Sequence, residues 1–233
     1  MRTAFRKGIR HGIPIALGYL SVSFAFGMKA VGDGLTVIQA VLISMTNLTS
    51  AGQIAALPLM TGGATLAEMA LTQLTINLRY ALMSLSLSRK LDDSMGTLQR
   101  LVFSFANTDE IFAVASSQRG KVGKAYLYGL MLTPWIGWSL GTFLGAAAGT
   151  LLPAFVRTAL GIAIYGMFLA IILPPARKYG AVRFVLIVSV FLSLCFHYIP
   201  FLNTVSPGFV IIICGVTAAA LGAWLYPVKE DAA

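Results

Sequence analysis

From residue 13 to residue 226 the chain is one apolar run after another, at roughly 13–31, 35–60, 64–88, 98–118, 125–150, 156–174, 183–199 and 208–226, each closed by Gly, Pro or a charged residue. A helix that spans a bilayer takes about 20 apolar residues at ~1.5 Å of rise each. Runs of this length, so closely spaced, fix the class as an all-α polytopic membrane protein with room for about six to eight passes. Only 11% of the 233 residues are charged and 58% are hydrophobic, whereas about 25% charged is usual for a soluble domain. No stretch remains for a separate soluble catalytic or nucleotide-binding domain, and residues 1–233 read as a single transmembrane domain.

The formal net charge is +9, which in a soluble protein would point toward nucleic acid. Here the basic residues sit in short clusters between apolar runs, without interleaved aromatics, so they report topology instead. The clusters are Arg2/Arg6/Lys7/Arg10, Arg89/Lys90/Arg100, Arg119/Lys121/Lys124, Arg177/Lys178/Arg183 and Lys229. Under the positive-inside rule all five face the cytoplasm. The charged start and the apolar run behind it resemble a signal peptide, but the run is long and no small-x-small cleavage site follows, so it is expected to stay as a first helix. Cys195 and Cys214 lie in different apolar runs without ligand spacing and read as small core residues.

One crossing per run does not satisfy these orientations. Runs 13–31, 35–60 and 64–88 would leave the basic stretch 89–100 outside, and run 98–118 is basic at both ends. Both conflicts vanish if 35–60 and 98–118 enter the membrane and return, leaving about six crossing helices plus two re-entrant or broken helical segments, with both termini cytoplasmic. Composition agrees. Run 35–60 is interrupted by Thr46-Asn47-Leu48-Thr49-Ser50-Ala51-Gly52-Gln53, and run 98–118 carries Asn107-Thr108-Asp109-Glu110 at its middle. Irregular backbone at membrane depth is tolerated only where protein or a watered cavity surrounds it. The competing expectation is one kinked helix over 35–60 and an interfacial segment within 98–118.

A charge at the bilayer centre costs at least about 2.5–3.5 kcal/mol, so each one needs a reason. Run 64–88 holds Glu68, Gln73, Asn77 and Arg79, and run 98–118 holds the acidic pair Asp109 and Glu110. An ion pair from Arg79 to Asp109 or Glu110 would keep both charges covered. A zwitterionic ligand needs one carboxylate partner and one ammonium partner, and this constellation offers both. The ends of broken helices supply the same two signs, with Ser50–Gln53 the candidate for such an end. The candidate site is therefore Ser50, Gly52, Gln53, Asn77 and Arg79 for substrate, with Asp109 and Glu110 for a proton or an ammonium group. His197, beside Tyr198 and Pro200, reads as an interfacial anchor, and His11 as solvated. Tyr126, Tyr179 and Tyr226 suit an aromatic belt. Trp135 and Trp138 lie deeper, where packing is the default role. Gly141, Gly145 and Gly149, and also Gly161 and Gly166, fall at helix-packing spacing, either within the chain or against another.

Four motifs in order carry a family resemblance. They are Gly12-Ile13-Pro14 with Gly18-Tyr19 and Phe24-Ala25-Phe26-Gly27, then Thr49-Ser50-Ala51-Gly52-Gln53, then Asn77-Leu78-Arg79-Tyr80, then Thr108-Asp109-Glu110-x-Phe112. From about residue 5 to residue 175 the chain resembles the AzlC/BrnF family, the large subunit of branched-chain amino acid exporters. Two positions depart from the family pattern. Many relatives have Ala-Gly-Ser-Ser/Ala-Gln-Phe where this chain has Ser50-Ala51-Gly52-Gln53-Ile54, and relatives often have His where this chain has Tyr80. The resemblance implies a proton-coupled secondary transporter of the prokaryotic cytoplasmic membrane that exports leucine, isoleucine, valine or methionine. It also implies a small AzlD/BrnE-type membrane subunit as partner.

The residues also bound the alternatives. No Gly-rich loop with Lys is present to use ATP, and no HExxH, GxSxG or metal-ligand cluster lies within a span, so no cofactor or metal is expected. An intramembrane enzyme would have to use Asp109 and Glu110 as an acid–base pair, yet adjacent carboxylates on a helix point about 100° apart. A structural or channel-like subunit, with charges that only hold helices together, is the other alternative.

Overall fold

The structure is a computed structural model that describes residues 2–93 and 95–227, with backbone alone at Ala154, residues 157–161, Ala163, Ile164, Met167 and Ile171. Two features expected from the sequence, the surroundings of Gly161 and the charge at Lys229, lie outside the described residues. The described chain is helical, with ten α-helices and one 3-10 turn. Six are long: α1 (Arg2–Gly32), α4 (Leu66–Ser88), α7 (Lys124–Leu151), α8 (Ala154–Lys178), α9 (Gly180–Tyr198) and α10 (Pro207–Leu225). Among the described residues, α1, α9 and α10 are each apolar and long enough to cross a membrane by themselves. The other four form two interrupted pairs, α2 (Val37–Thr46) with α3 (Ser50–Thr61), and α5 (Thr97–Ser104) with α6 (Asp109–Ser116). The chain divides into two compact units, residues 1–57 with 77–164 and residues 58–76 with 165–233.

Unit 1 is organised by the contact of α1 with α7. Gly8 sits against the backbone of Tyr126 and Leu130, Gly12 against Leu130 and Thr133, Gly137 against Ala16, Gly141 against Leu20, Gly145 against Phe24 and Gly149 against Met28. At Gly8, Gly141 and Gly145 an added Cβ would strike the opposing backbone, so these contacts require glycine. The small-residue stripe is therefore an internal seam. Residue numbers rise together along it, so α1 and α7 run parallel and their basic starts lie at one end, here called the basic end.

That direction shows what the interrupted pairs do. The segment after α4 bonds to the segment before α7: Val122 N–H donates to Lys90 O (2.8 Å), and Asp92 N–H to Val122 O (2.9 Å). The second half of α4 therefore returns to the basic end, antiparallel to α1, and α2–α3 between them goes in and comes back. From the distal end α2 descends beside α7, with Ala40 and Leu57 packed on Phe26, Ala30 and Ala146, and the break at Leu48 reaches the cluster of Tyr19 and Trp138. The α5–α6 pair does the reverse. Lys90 Nζ donates to Ser116 O at the close of α6, so the pair leaves and re-enters at the basic end while its tip reaches Tyr19. Two re-entrant hairpins, one from each end, meet near the middle of α1, as the charge placement predicted.

Local chemistry sets each break. Asn47 Oδ1 accepts from Thr49 N–H (3.2 Å) and Oγ1 (2.7 Å), a side-chain turn that competes with helical bonding. Thr108 caps α6 with its hydroxyl on Ile111 N–H, and Asp109 and Glu110 fill a first turn whose dipole favours acids. Gly34 (φ 102°) turns the chain between α1 and α2, and Gly63 (φ 71°) between α3 and α4, in backbone that favours glycine.

In unit 2, α9 and α10 pair with Gly222 against Val185 and the rings of Phe184 and Tyr226 5.8 Å apart. Glu68 is buried, and its Oε1 accepts from Ser206 Oγ and from Gly208 N–H at 3.0 Å. A carboxylate there satisfies an otherwise orphaned donor at the start of α10. Ile187 (61% exposed) and Phe191 (64%) stand on α9, which has no buried residue at all, as expected for a helix against lipid.

Candidate functional site

Three elements converge where the hairpin tips meet. From α4, Arg79 Nη1 pairs with Asp109 Oδ2 at 2.6 Å, and Arg79 Nη2 donates to Tyr80 Oη at 3.1 Å with the guanidinium 4.9 Å from that ring centre. From α1, the Tyr19 hydroxyl stands 2.6 Å from Thr108 Oγ1 and against Glu110 Oε2. One hydroxyl has one proton to donate, so Tyr19 serves Thr108 or Glu110 at any moment. The acidic neighbours thus diverge, Asp109 to the cation on α4 and Glu110 to the phenol on α1.

Their exposure separates these groups from the rest. The side chains of Arg79 and Asp109 are 48% and 47% accessible, half open at the tip of a re-entrant hairpin. Tyr19, Thr108 and Asn107 behind them are buried. Asn107 Nδ2 donates to Ser84 Oγ at 2.9 Å, whereas its buried Oδ1 has no hydrogen-bond partner among the described residues. A cavity of about 190 Å³, bounded by Ser84, Ser88, Arg100, Phe103, Ser104 and Asn107, lies between α4 and α5. It extends from the basic end, at Arg100, to the hairpin tip, at Asn107.

The other hairpin is joined through an aromatic contact. Tyr19 meets Trp138 edge to face, centroids 5.2 Å apart, and Trp138 Nε1 donates to Gln53 Oε1 at 2.9 Å. Gln53 Nε2 donates to Ser44 Oγ at 3.0 Å, and Ser44 Oγ lies 2.7 Å from Thr142 Oγ1. Gln53, Ser44 and Thr142 are fully buried. Both ends of the Gln53 amide are paired inside the protein. Ser50 opens α3, Gly52 is buried in its first turn, and Asn77 is half-buried on α4.

Of the residues predicted from the sequence, the structure brings Arg79 onto Asp109 and places Glu110 beside them, with Gln53 linked through Trp138 and Tyr19. Ser50, Gly52 and Asn77 make none of these contacts. Tyr19, Ser44, Thr108, Trp138 and Thr142 were not among the predicted site residues. A polar residue in a run such as 13–31 is the signal that could have found Tyr19, but an aromatic hydroxyl in an apolar helix reads equally well as an interfacial anchor. His11 is not simply solvated: its Nδ1 lies 2.9 Å from Tyr126 Oη.

Residues 14–152, well over half of the chain and including every residue of this site, match the family described as AzlC protein. The chain belongs to the AzlC family. It is 26% identical over 181 residues to the inner membrane protein YgaZ of Escherichia coli, covering 75% of this chain and 74% of that one. It is 32% identical over 172 residues to an uncharacterized membrane protein of Archaeoglobus fulgidus, covering 73% and 75%. A Helicobacter pylori membrane protein is 30% identical over 63% of this chain and 65% of its own. No solved structure matches. As an AzlC-family chain with these apolar helices, it is a membrane protein.

Proposed function

We propose that this AzlC-family protein is the large subunit of a secondary transporter that exports branched-chain or other apolar amino acids, coupled to protons, across the cytoplasmic membrane of a prokaryote. The observation that carries this reading is the half-open Arg79–Asp109 pair at the tip of a re-entrant hairpin. A cation and a carboxylate held 2.6 Å apart can exchange each other for the carboxylate and ammonium of one zwitterion, with net charge conserved at each step. Glu110 and the cap Thr108 flank Asp109 at the same tip, and Tyr19 of α1 meets both, where a carboxylate can take up a proton as the substrate leaves. The cavity between α4 and α5 gives the substrate a route from the basic end, with Leu87 and Leu101 on its walls for an apolar side chain.

In this reading Gln53 positions Trp138 and Tyr19, and Ser50 and Gly52 form the opening of α3 that faces the middle of the membrane. A small AzlD/BrnE-type subunit completes the assembly, both termini are cytoplasmic, and the protein performs no covalent chemistry. The test is flux. Proteoliposomes holding the chain and its small partner should release preloaded leucine or valine, faster with an imposed proton gradient. Release no faster than from empty vesicles for every amino acid tried sinks the reading.

A further inference from the structure

The site accounts for Arg79 but not for the cations at the basic end of unit 1. There the first turns of α1 and α7, with α5 beside them, enclose a cavity of about 430 Å³ lined by Arg2, Phe5, Arg6, Gln99, Lys124 and Tyr128. Three of these residues are cationic and none is acidic. Arg2, Arg6 and Lys124 have no ion-pair partner among the described residues, whose three pairs are Lys29–Asp33, Arg79–Asp109 and Lys121–Asp93. Neither α1 nor α7 has an acid in its first turn, so the positive ends of two parallel helices add to the side-chain charges where acids would ordinarily offset them. Gln99 Oε1 accepts from Gly96 N–H at 3.1 Å, which leaves its amide N–H₂ free to donate.

The arrangement asks for an anion, and its body says which kind. At roughly 30 Å³ per water the cavity is far larger than an inorganic oxyanion needs. Its walls are mainly carbon: the stems of Arg2, Arg6 and Lys124, the rings of Phe5 and Tyr128, and the methyl of Ala125. Long cationic side chains bury their stems and hold their heads at the polar boundary. We infer that this cleft binds an anionic phospholipid, the phosphodiester held by Arg2, Arg6, Lys124 and the Gln99 amide, and the start of an acyl chain lying against Phe5, Ala125 and Tyr128. Basic clefts between helices at a membrane surface are suited to such head groups. This inference is independent of what the protein transports.

The test is retention of lipid by the purified full-length chain, read by native mass spectrometry after addition of phosphatidylglycerol or phosphatidylcholine. Wild type should hold one phosphatidylglycerol in preference to phosphatidylcholine, with inorganic phosphate at millimolar concentration failing to displace it. Arg2→Gln/Arg6→Gln/Lys124→Gln should weaken that retention at least fivefold. A control with the same loss of charge in unit 2, Arg177→Gln/Lys178→Gln/Arg183→Gln, should leave it unchanged. Ala125→Trp, which fills the cleft and keeps every charge, should also lose the lipid, and it decides the matter if the triple variant does not fold. Equal retention in the triple variant or in Ala125→Trp overturns the inference, as does an equal loss in the control. Displacement by inorganic phosphate would show an anion site without lipid selectivity and overturns it too.

Discussion

The two re-entrant hairpins solve the same problem in opposite ways. At the tip of α2–α3 every polar group just described is neutral, and Gln53, Ser44 and Thr142 are fully buried in a closed chain of hydrogen bonds that ends on Trp138. At the tip of α5–α6 the side chains include two carboxylates, the Arg79–Asp109 pair is half open, and a buried amide oxygen of Asn107 is unpartnered among the described residues. Satisfied polar networks in a low-dielectric interior hold one arrangement. A half-open ion pair and an unpartnered acceptor are what a site that changes partners requires. On the proposed transport reading, this difference makes α2–α3 a fixed wall and α5–α6 the working element, so substitutions should separate by hairpin. Those at α2–α3 should lower stability with flux per folded molecule retained, and those at α5–α6 should lower flux in a folded protein.

The sharpest break is Asp109→Asn. If Asp109 takes the substrate ammonium, its loss removes a hydrogen bond to a charged group, worth about 1.5–3 kcal/mol, so flux should fall about 30-fold. The unfolding midpoint should stay within a few degrees of wild type. Loss of the folded protein instead would return Arg79 and Asp109 to a purely structural role and erase the contrast. Tyr19→Phe comes next. It deletes one hydrogen bond to a carboxylate, worth about 1.5–3 kcal/mol, and should reduce flux about tenfold with expression retained. An unchanged flux would show that Glu110 does not depend on Tyr19.

The α2–α3 side is probed by Gln53→Leu, which leaves Trp138 Nε1–H without its partner and Ser44 Oγ with Thr142 alone. Each buried group left unsatisfied costs about 1–3 kcal/mol. The unfolding midpoint should fall clearly while amino-acid flux, corrected for folded protein, stays within about twofold. A large loss of corrected flux would place Gln53 on the substrate and unite the two hairpins as one site.

The class, the number of long helices and both interruptions were legible because each has a local cause. Apolar length sets the long helices. Asn47 with its turn and Thr108 with its cap set the breaks, and the basic clusters fixed which way the broken segments turn. The Arg79–Asp109 pair was legible because charge is scarce in the spans and few partners exist. What escaped was the join between the hairpins. Tyr19, Trp138 and Thr142 lie in two helices more than a hundred residues apart in sequence, and they meet only because glycines such as Gly141 and Gly145 let α1 and α7 run parallel in close contact. Helix spacing revealed that stripe but not its partner, since small residues serve internal seams and subunit interfaces equally well. The direction of packing, which settles the re-entrant topology, is a property of non-local contacts that no single run contains.

The smallest expected effect is at the rim of the fixed wall. Trp135 Nε1 donates to Met45 O at 2.9 Å, next to the end of α2, where the last carbonyls of a helix have no partner within it. The indole is partly exposed, so a released carbonyl can be met by water, and Trp135→Phe removes one ordinary hydrogen bond while most of the ring's packing stays. The expected loss is about 0.5–1.5 kcal/mol, a shift of a few degrees in the unfolding midpoint with flux unchanged. Hydrogen exchange localises it: the amides of α2 should exchange faster in Trp135→Phe, and those of α5 and α6 should not. Faster exchange in α6 would mean that the two hairpins share their stability, and the division between a fixed wall and a working element would not hold.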